Sequence, residues 1–221
     1  MSIRENIHSL RTSLPKDVSL VAVSKFHPAD NIQEAYDAGQ RIFGESRAQE
    51  LVLKKQSLPE DIEWHFIGQL QSNKVKDIAP FIHTIHSIDS LKLIEEVEKQ
   101  AGKHGRIIRI LLEIHIAREE TKAGFTEEEC KDLLSSIHLE DYPHVLFGGV
   151  MGMATYTENT EQIHQEFHRL KVLFDEIKSI YFTEKKGFNV LSMGMSSDYK
   201  IAISEGSNMV RIGSNIFGER I

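Results

Sequence analysis

Eight short apolar runs, each followed by a helical stretch, occupy the 221 residues with no Pro/Gly/Ser-rich linker and no sequence repeat. This alternation constrains the fold more than any other feature. Strands joined by helices run parallel, and a parallel sheet must bury both of its faces. The runs are 19–25, 41–45, 63–68, 83–88, 107–116, 145–151, 190–193 and 209–212, and a helix over 2–12 precedes them. The intervening helical stretches cover 30–38, 47–56, 73–79, 91–103, a segment opening at Thr126, 159–181 and 198–205. Asp30, Asp89 and Thr126 stand where helix caps belong, and Gly39 and Gly105 where helices stop. In the longest stretch Ile163, Phe167, Leu170, Phe174 and Ile177 recur at helical spacing, so one face packs inward. The pattern predicts an α/β fold: one TIM (β/α)8 barrel over 1–221, with residues 1–14 as an additional N-terminal helix. A doubly wound open sheet is the alternative, but it rarely needs so many units in so short a chain.

Charge narrows the partners. The formal net charge is −7 and Lys and Arg are scattered, which argues against a nucleic-acid partner. The pairs Lys54-Lys55 and Lys185-Lys186 read as solvated surface charges. The single cysteine, Cys130, cannot form an intrachain disulfide and reads as a helix-packing thiol. No segment approaches a membrane span and the start has no apolar signal region, so the expected compartment is the reducing cytoplasm, with no membrane partner.

The chemistry is expected at the carboxyl ends of the strands. Lys25 closes the first run, and a desolvated lysine amine there can form a Schiff base with a carbonyl compound. Its plainer reading is a solvated or ion-paired lysine. The loops after the last two strands, 192–198 and 211–215, are rich in small residues. Gly194 and Gly213 permit close backbone approach, Ser196 and Ser214 offer hydroxyls, and the following helix starts offer N–H groups, as a phosphate cradle requires. Alternatively Ser196 and Ser197 cap a helix and Gly213 turns the chain. A phosphate cradle opposite a strand-end lysine describes a pocket for a phosphorylated aldehyde, of which pyridoxal phosphate is the commonest. His164 and His168, at i and i+4, are a conceivable metal pair, with a solvated helix face as the plainer reading. His65 lies within the third run and either faces the barrel mouth or is a hydrogen-bonded structural residue.

Five segments carry a family resemblance: Val21-Ala22-Val23-Ser24-Lys25, Phe43 to Glu50, Trp64 to Lys74, Leu191 to Ser196 and Glu205 to Ser214. In this order they resemble the pyridoxal phosphate homeostasis proteins, also called YggS/PROSC. The resemblance implies a barrel like the N-terminal domain of alanine racemase that binds pyridoxal 5′-phosphate as an internal aldimine. It implies Lys25 as the Schiff-base residue, Ser196, Gly213 and Ser214 around the phosphate, and Arg211 beside the pyridine nitrogen. Asn73 and His65 belong to a matching motif near the site. The chain departs from the pattern at Ser46, where the family commonly has Asn, at Gln69 in place of Pro, and at His115, where Asn is often found.

An arginine beside the pyridine nitrogen is expected to keep that nitrogen unprotonated, which weakens the ring as an electron sink. Racemization also needs a second acid/base, supplied in alanine racemase by a tyrosine from another domain, and a chain of this length is expected to lack that domain. The resemblance therefore implies a monomeric, non-catalytic carrier or buffer of the cofactor, with pyridoxal phosphate-dependent apoenzymes as its protein partners. A slow amino-acid racemase, or another enzyme using the same cofactor, is the alternative.

Overall fold

The computed structural model describes residues 2–119, 122–183 and 187–218; the Lys185-Lys186 pair lies outside them. Helix α1 (Ile3–Ser13) comes first, opened by a capping box in which Ser2 and Glu5 satisfy each other's backbone N–H groups. Strand and helix then alternate: β1 (Ser19–Val23), α2 (Ala29–Asp37), β2 (Ile42–Glu45), α3 (Ala48–Ser57), β3 (Glu63–Phe66), α4 (Ser72–Ile78), β4 (Thr84–Ile88) and α5 (Leu91–Lys103). The second half follows the same order: β5 (Ile108–Ile114), α6 (Glu127–Ser136), β6 (Val145–Gly152), α7 (Thr160–Tyr181), β7 (Val190–Ser192), α8 (Tyr199–Ser204), β8 (Met209–Ile212) and α9 (Ser214–Phe217). A 3₁₀ turn at Leu139–Asp141 leads into β6. The strands pair in chain order and β8 pairs in parallel with β1, closing an eight-stranded barrel. The expected TIM barrel is the fold.

Closure creates two cores. The larger lies between strands and helices and holds Phe43, Trp64, Ile94, Phe167, Leu170 and Ile177, all essentially buried. Burying each such side chain contributes about 1.5–3 kcal/mol, so this layer holds the outer ring in place. The second is small: Val21, Leu111, Met151, Val190 and Met209 come from five strands and touch one another apart from the first core. Residues of so many strands meet in this way inside the barrel. The last helix, α9, is only one turn long, and α1 packs against both α9 and α2. The Asn6 side-chain amide donates to Ile216 O at 2.9 Å across that contact. The N-terminal helix thus occupies the place in the outer ring that a longer final helix would take.

Several local expectations are corrected. The first strand ends at Val23, so Lys25 sits in the following loop. Ser24 N still bonds Gly44 O at 3.0 Å, but Phe26 then takes a left-handed conformation (φ 69°) that ends the ladder. Neither Asp30 nor Asp89 caps a helix. Pro28 and Ser90 hold those positions without side-chain cap bonds, and Asp30 lies in the first turn of α2. Thr126 does cap α6 in a reciprocal box with Glu129. Gly39 has φ 94°, as a helix stop requires. Lys54 is not a solvated charge: it is buried between carboxylates. Cys130 is fully buried on α6, as a packing thiol should be. Among the described residues, no helix is long and apolar enough to cross a membrane.

Candidate functional site

A cavity of about 520 Å³ opens at the carboxyl-terminal mouth of the barrel, within the size range of small-molecule sites. Lys25 reaches it from the loop after β1, Ser196 from the loop after β7, and Arg211 from β8; Gly213 and Ser214 line it from the turn that follows. Five sequence-expected residues thus converge on one space. His65 and Asn73 are not among its lining residues. Asn73 is exposed in the first turn of α4, and His65 is buried on β3.

The loop carrying Lys25 is fixed from below by a charged cluster. Lys54 Nζ donates to Ser24 O (2.8 Å), Glu45 Oε1 (2.7 Å) and Glu50 Oε1 (2.6 Å). Ser24 Oγ donates to Glu45 Oε1 at 2.6 Å, and Phe26 N donates to Glu50 Oε1 at 2.7 Å. The Arg47 guanidinium lies 4.8 Å from the center of the Phe26 ring. Residues 24 and 26 are therefore held on both sides of Lys25, including the strained turn at Phe26. Glu45 is fully buried, and burial outweighs the pull of Lys54 and its hydrogen bonds, so its carboxyl is pushed above the usual range. Its Oε2 has no hydrogen-bond partner.

The opposite wall is stitched across two loops. The Gly213 N–H donates to Ser196 Oγ at 3.2 Å, which leaves the hydroxyl proton free to face an anion. Met195 N donates to Asp198 Oδ1 at 2.6 Å, and Asp198, not Ser196 or Ser197, holds the cap position of α8. A Cβ on Gly213 would stand 3.2 Å from Val23 O and 3.3 Å from its Cβ, so a side chain here would press this turn away from the end of β1. Gly194 has φ 97°, and a Cβ there would meet that of Ala202 at 2.6 Å.

Arg211 forms the floor. It is buried, and its terminal nitrogens donate to Ser192 O (2.9 Å), Ser192 Oγ (2.7 Å) and Gly152 O (3.0 Å). Burial lowers its pKa to about 10, opposed by the nearby Asp198 and Glu113 carboxylates, so it remains a cation at neutral pH. Glu113, inside the barrel on β5, is pushed up to about 7 by burial, with Arg211 pulling the other way. From Ser192 a polar line crosses the barrel interior. His86 Nδ1 lies 3.2 Å from Ser192 Oγ, and His86 Nε2 lies 2.9 Å from His65 Nδ1. Burial drives both imidazoles well below the usual histidine pKa, so both are neutral.

The matched family is described as alanine racemase, N-terminal domain, and it covers residues 1–221. The Aquifex aeolicus pyridoxal phosphate homeostasis protein is 40% identical over 202 residues, 91% of this chain and 86% of that protein. The chain belongs to the pyridoxal phosphate homeostasis protein family. Among solved structures, PipY of Synechococcus elongatus with PLP bound superposes with a TM-score of 0.89 at 36% identity, covering 98% of this chain and 100% of that one. A Clostridium difficile alanine racemase has a TM-score of 0.73 at 15% identity; this chain covers 57% of it, and that likeness shows the barrel fold alone.

Reading the sequence missed the supports of the barrel mouth. Ser24, Glu45 and Glu50 lie within the family segments but carried no visible role, although Glu50 and Lys54 stand at ion-pair spacing on one helix. Nothing local marks His86, and Ser192 lies within a family segment without a visible role; the two meet across 106 positions of sequence. His164 and His168 both bond Glu205, at 2.8 and 3.1 Å, so they join α7 to the end of α8 instead of facing only solvent. His115 Nε2 pairs with Ala117 O at 3.0 Å, and Ser46 packs against Gly68, where a Cβ would lie 2.6 Å from Ser46 O.

Proposed function

We propose that this protein binds pyridoxal 5′-phosphate at the carboxyl-terminal mouth of its barrel, tethers it reversibly through Lys25, and serves the supply of that cofactor to apoenzymes instead of turning over substrate. The observation that carries the proposal is the convergence of Lys25, Ser196, Gly213, Ser214 and Arg211 on one cavity of about 520 Å³. The residues present fit the group. Ser196, Gly213 and Ser214 bring hydroxyls and a small-residue turn to one wall, Lys25, itself half-buried, supplies an amine, and Arg211 supplies a buried cation.

Bound there, the cofactor would supply an aldehyde carbon that condenses reversibly with an amine, releasing water. Ser196 and Ser214 would hold the phosphate as hydroxyl donors. Arg211 would face the ring nitrogen, where a fixed cation disfavors a second positive charge. Its three hydrogen bonds to β6 and β7 keep it from swinging away. The cluster of Lys54, Glu45 and Glu50 would keep the Lys25 loop in register with the cavity. A protein so arranged holds the cofactor well and activates it poorly. The names of its relatives, and PipY with PLP bound, support the same reading.

Purified protein mixed with pyridoxal phosphate should gain a visible absorbance, and borohydride should trap the cofactor on Lys25, as located by peptide mass spectrometry. Lys25→Ala should lose the trapped adduct. No adduct on Lys25 in the parent protein would overturn the tether. Sustained amino-acid turnover of roughly one per second or faster would overturn the carrier role.

A further inference from the structure

The amino-terminal mouth of the barrel, opposite the cavity, holds a second group of side chains. Glu63 opens β3, His65 lies two residues on, and His83 immediately precedes β4. One ligand atom from each lies within 4.8 Å of the others. Hydrogen bonds do not explain the grouping. His83 Nε2 and Glu63 Oε2 are 3.7 Å apart, too far for one, and His65 Nε2 is fully buried with no partner at all.

Each imidazole has its other nitrogen engaged. His65 Nδ1 lies 2.9 Å from His86 Nε2, and His83 Nδ1 lies 2.8 Å from Thr84 Oγ1. The two rings are parallel within 4°, with centers 5.5 Å apart. Histidine metal ligands have this arrangement: one nitrogen fixed by an outer partner, the other presented. Ligands on a tetrahedral zinc at 2.0–2.1 Å stand about 3.3 Å from one another. Glu63 and His83 side chains are 47% and 41% exposed, so they can close the remaining gap by rotation.

We propose that Glu63, His65 and His83 form a site for a divalent late transition-metal ion, with zinc as the best fit. Two imidazoles and one carboxylate suit zinc better than magnesium or calcium, which want oxygen ligands. Three protein ligands leave a fourth position to water. Arg109 and Arg106 send positive charge toward His83, and Arg109 also toward His65, so binding is weaker than at a closed cysteine site. A metal on His65 Nε2 fixes the proton on Nδ1, which then donates to His86 Nε2. His86 Nδ1 must in turn donate to Ser192 Oγ, the oxygen that also accepts from Arg211. The ion would therefore set the proton arrangement of the polar line that runs beneath the cofactor cavity.

The test uses tag-free full-length protein, stripped with a chelator and titrated with zinc against a chromophoric competitor. One equivalent should bind, with a zinc-edge absorption spectrum showing two imidazole ligands. Glu63→Gln and His83→Ala, both at exposed positions, should each weaken binding by at least about tenfold. The double variant His164→Ala/His168→Ala, which removes the other histidine pair, should bind like the parent. Nitrogen-15 spectra should show His86 protonated at Nδ1 only after zinc is added. Absence of one-to-one binding, parent-like binding by Glu63→Gln and His83→Ala, or loss confined to the His164/His168 variant would each overturn the site.

Discussion

Replacing Glu113 by glutamine should stabilize the protein above neutral pH and leave it almost unchanged in mild acid. Glu113 is 5% exposed inside the barrel, and burial raises its carboxyl from an ordinary 4.5 to about 7. A raised carboxyl pKa means that the folded state holds a proton the unfolded state has already lost. Stability is therefore full below the unfolded value and declines as pH rises from about 4.5 to about 7, after which the loss is constant. The rise from about 4.5 to about 7 corresponds to about 3 kcal/mol, and this already includes the attraction of Arg211. Glutamine keeps the shape and carries no charge, so the Glu113→Gln protein should escape that cost. For a chain of this size, about 3 kcal/mol raises the melting temperature by about 6–12 °C. The assay is thermal unfolding of cofactor-free protein at about pH 5 and about pH 8, followed by circular dichroism. The variant should match the parent at the lower pH and exceed it by that margin at the higher one. Parallel melting curves for the two proteins across that range would refute the burial argument.

Lys54→Met should destabilize the protein by about 3–5 kcal/mol near pH 8, because it strips the partner from buried Glu45. The cost should shrink in mild acid, where Glu45 takes up a proton, and denaturant melts at two pH values read the difference. The same variant should slow trapping of pyridoxal phosphate on Lys25, since residues 24 and 26 lose their anchor. Cys130, whose thiol burial pushes up to about 12, should resist a thiol reagent in the native protein at about pH 8 and react at once in denaturant. Native labeling at the denatured rate would contradict its burial.

Much of the fold was legible because the alternation of apolar runs and helices has one economical solution, and the order of the strands follows from right-handed crossovers between neighbors. Lys25, Ser196, Gly213 and Ser214 were legible for a related reason, whereas Arg211 was legible only through the family resemblance. Barrel geometry brings strand ends and the loops after β7 and β8 to one mouth, so residue type and position in the chain nearly locate the cavity. Local detail was less legible. Asp30 and Asp89 have the chemistry of caps, yet the backbone enters its helices two residues before Asp30, at Pro28, and one residue after Asp89, at Ser90.

The sequence by itself determined the eight units, the helix that precedes them, and the amine and small-residue loops at the carboxyl-terminal mouth. Tertiary structure alone decided which polar residues meet inside. Period-two alternation says that His65, His86, Ser192 and Arg211 share a side of their strands, but not that closure aligns them as one hydrogen-bonded line. It also decided that Lys54 is a buried support, because β1 must lie beside β2 for its ammonium to reach Ser24 O as well as Glu45. Such contacts depend on how the barrel closes, and closure is a property of all eight strands at once.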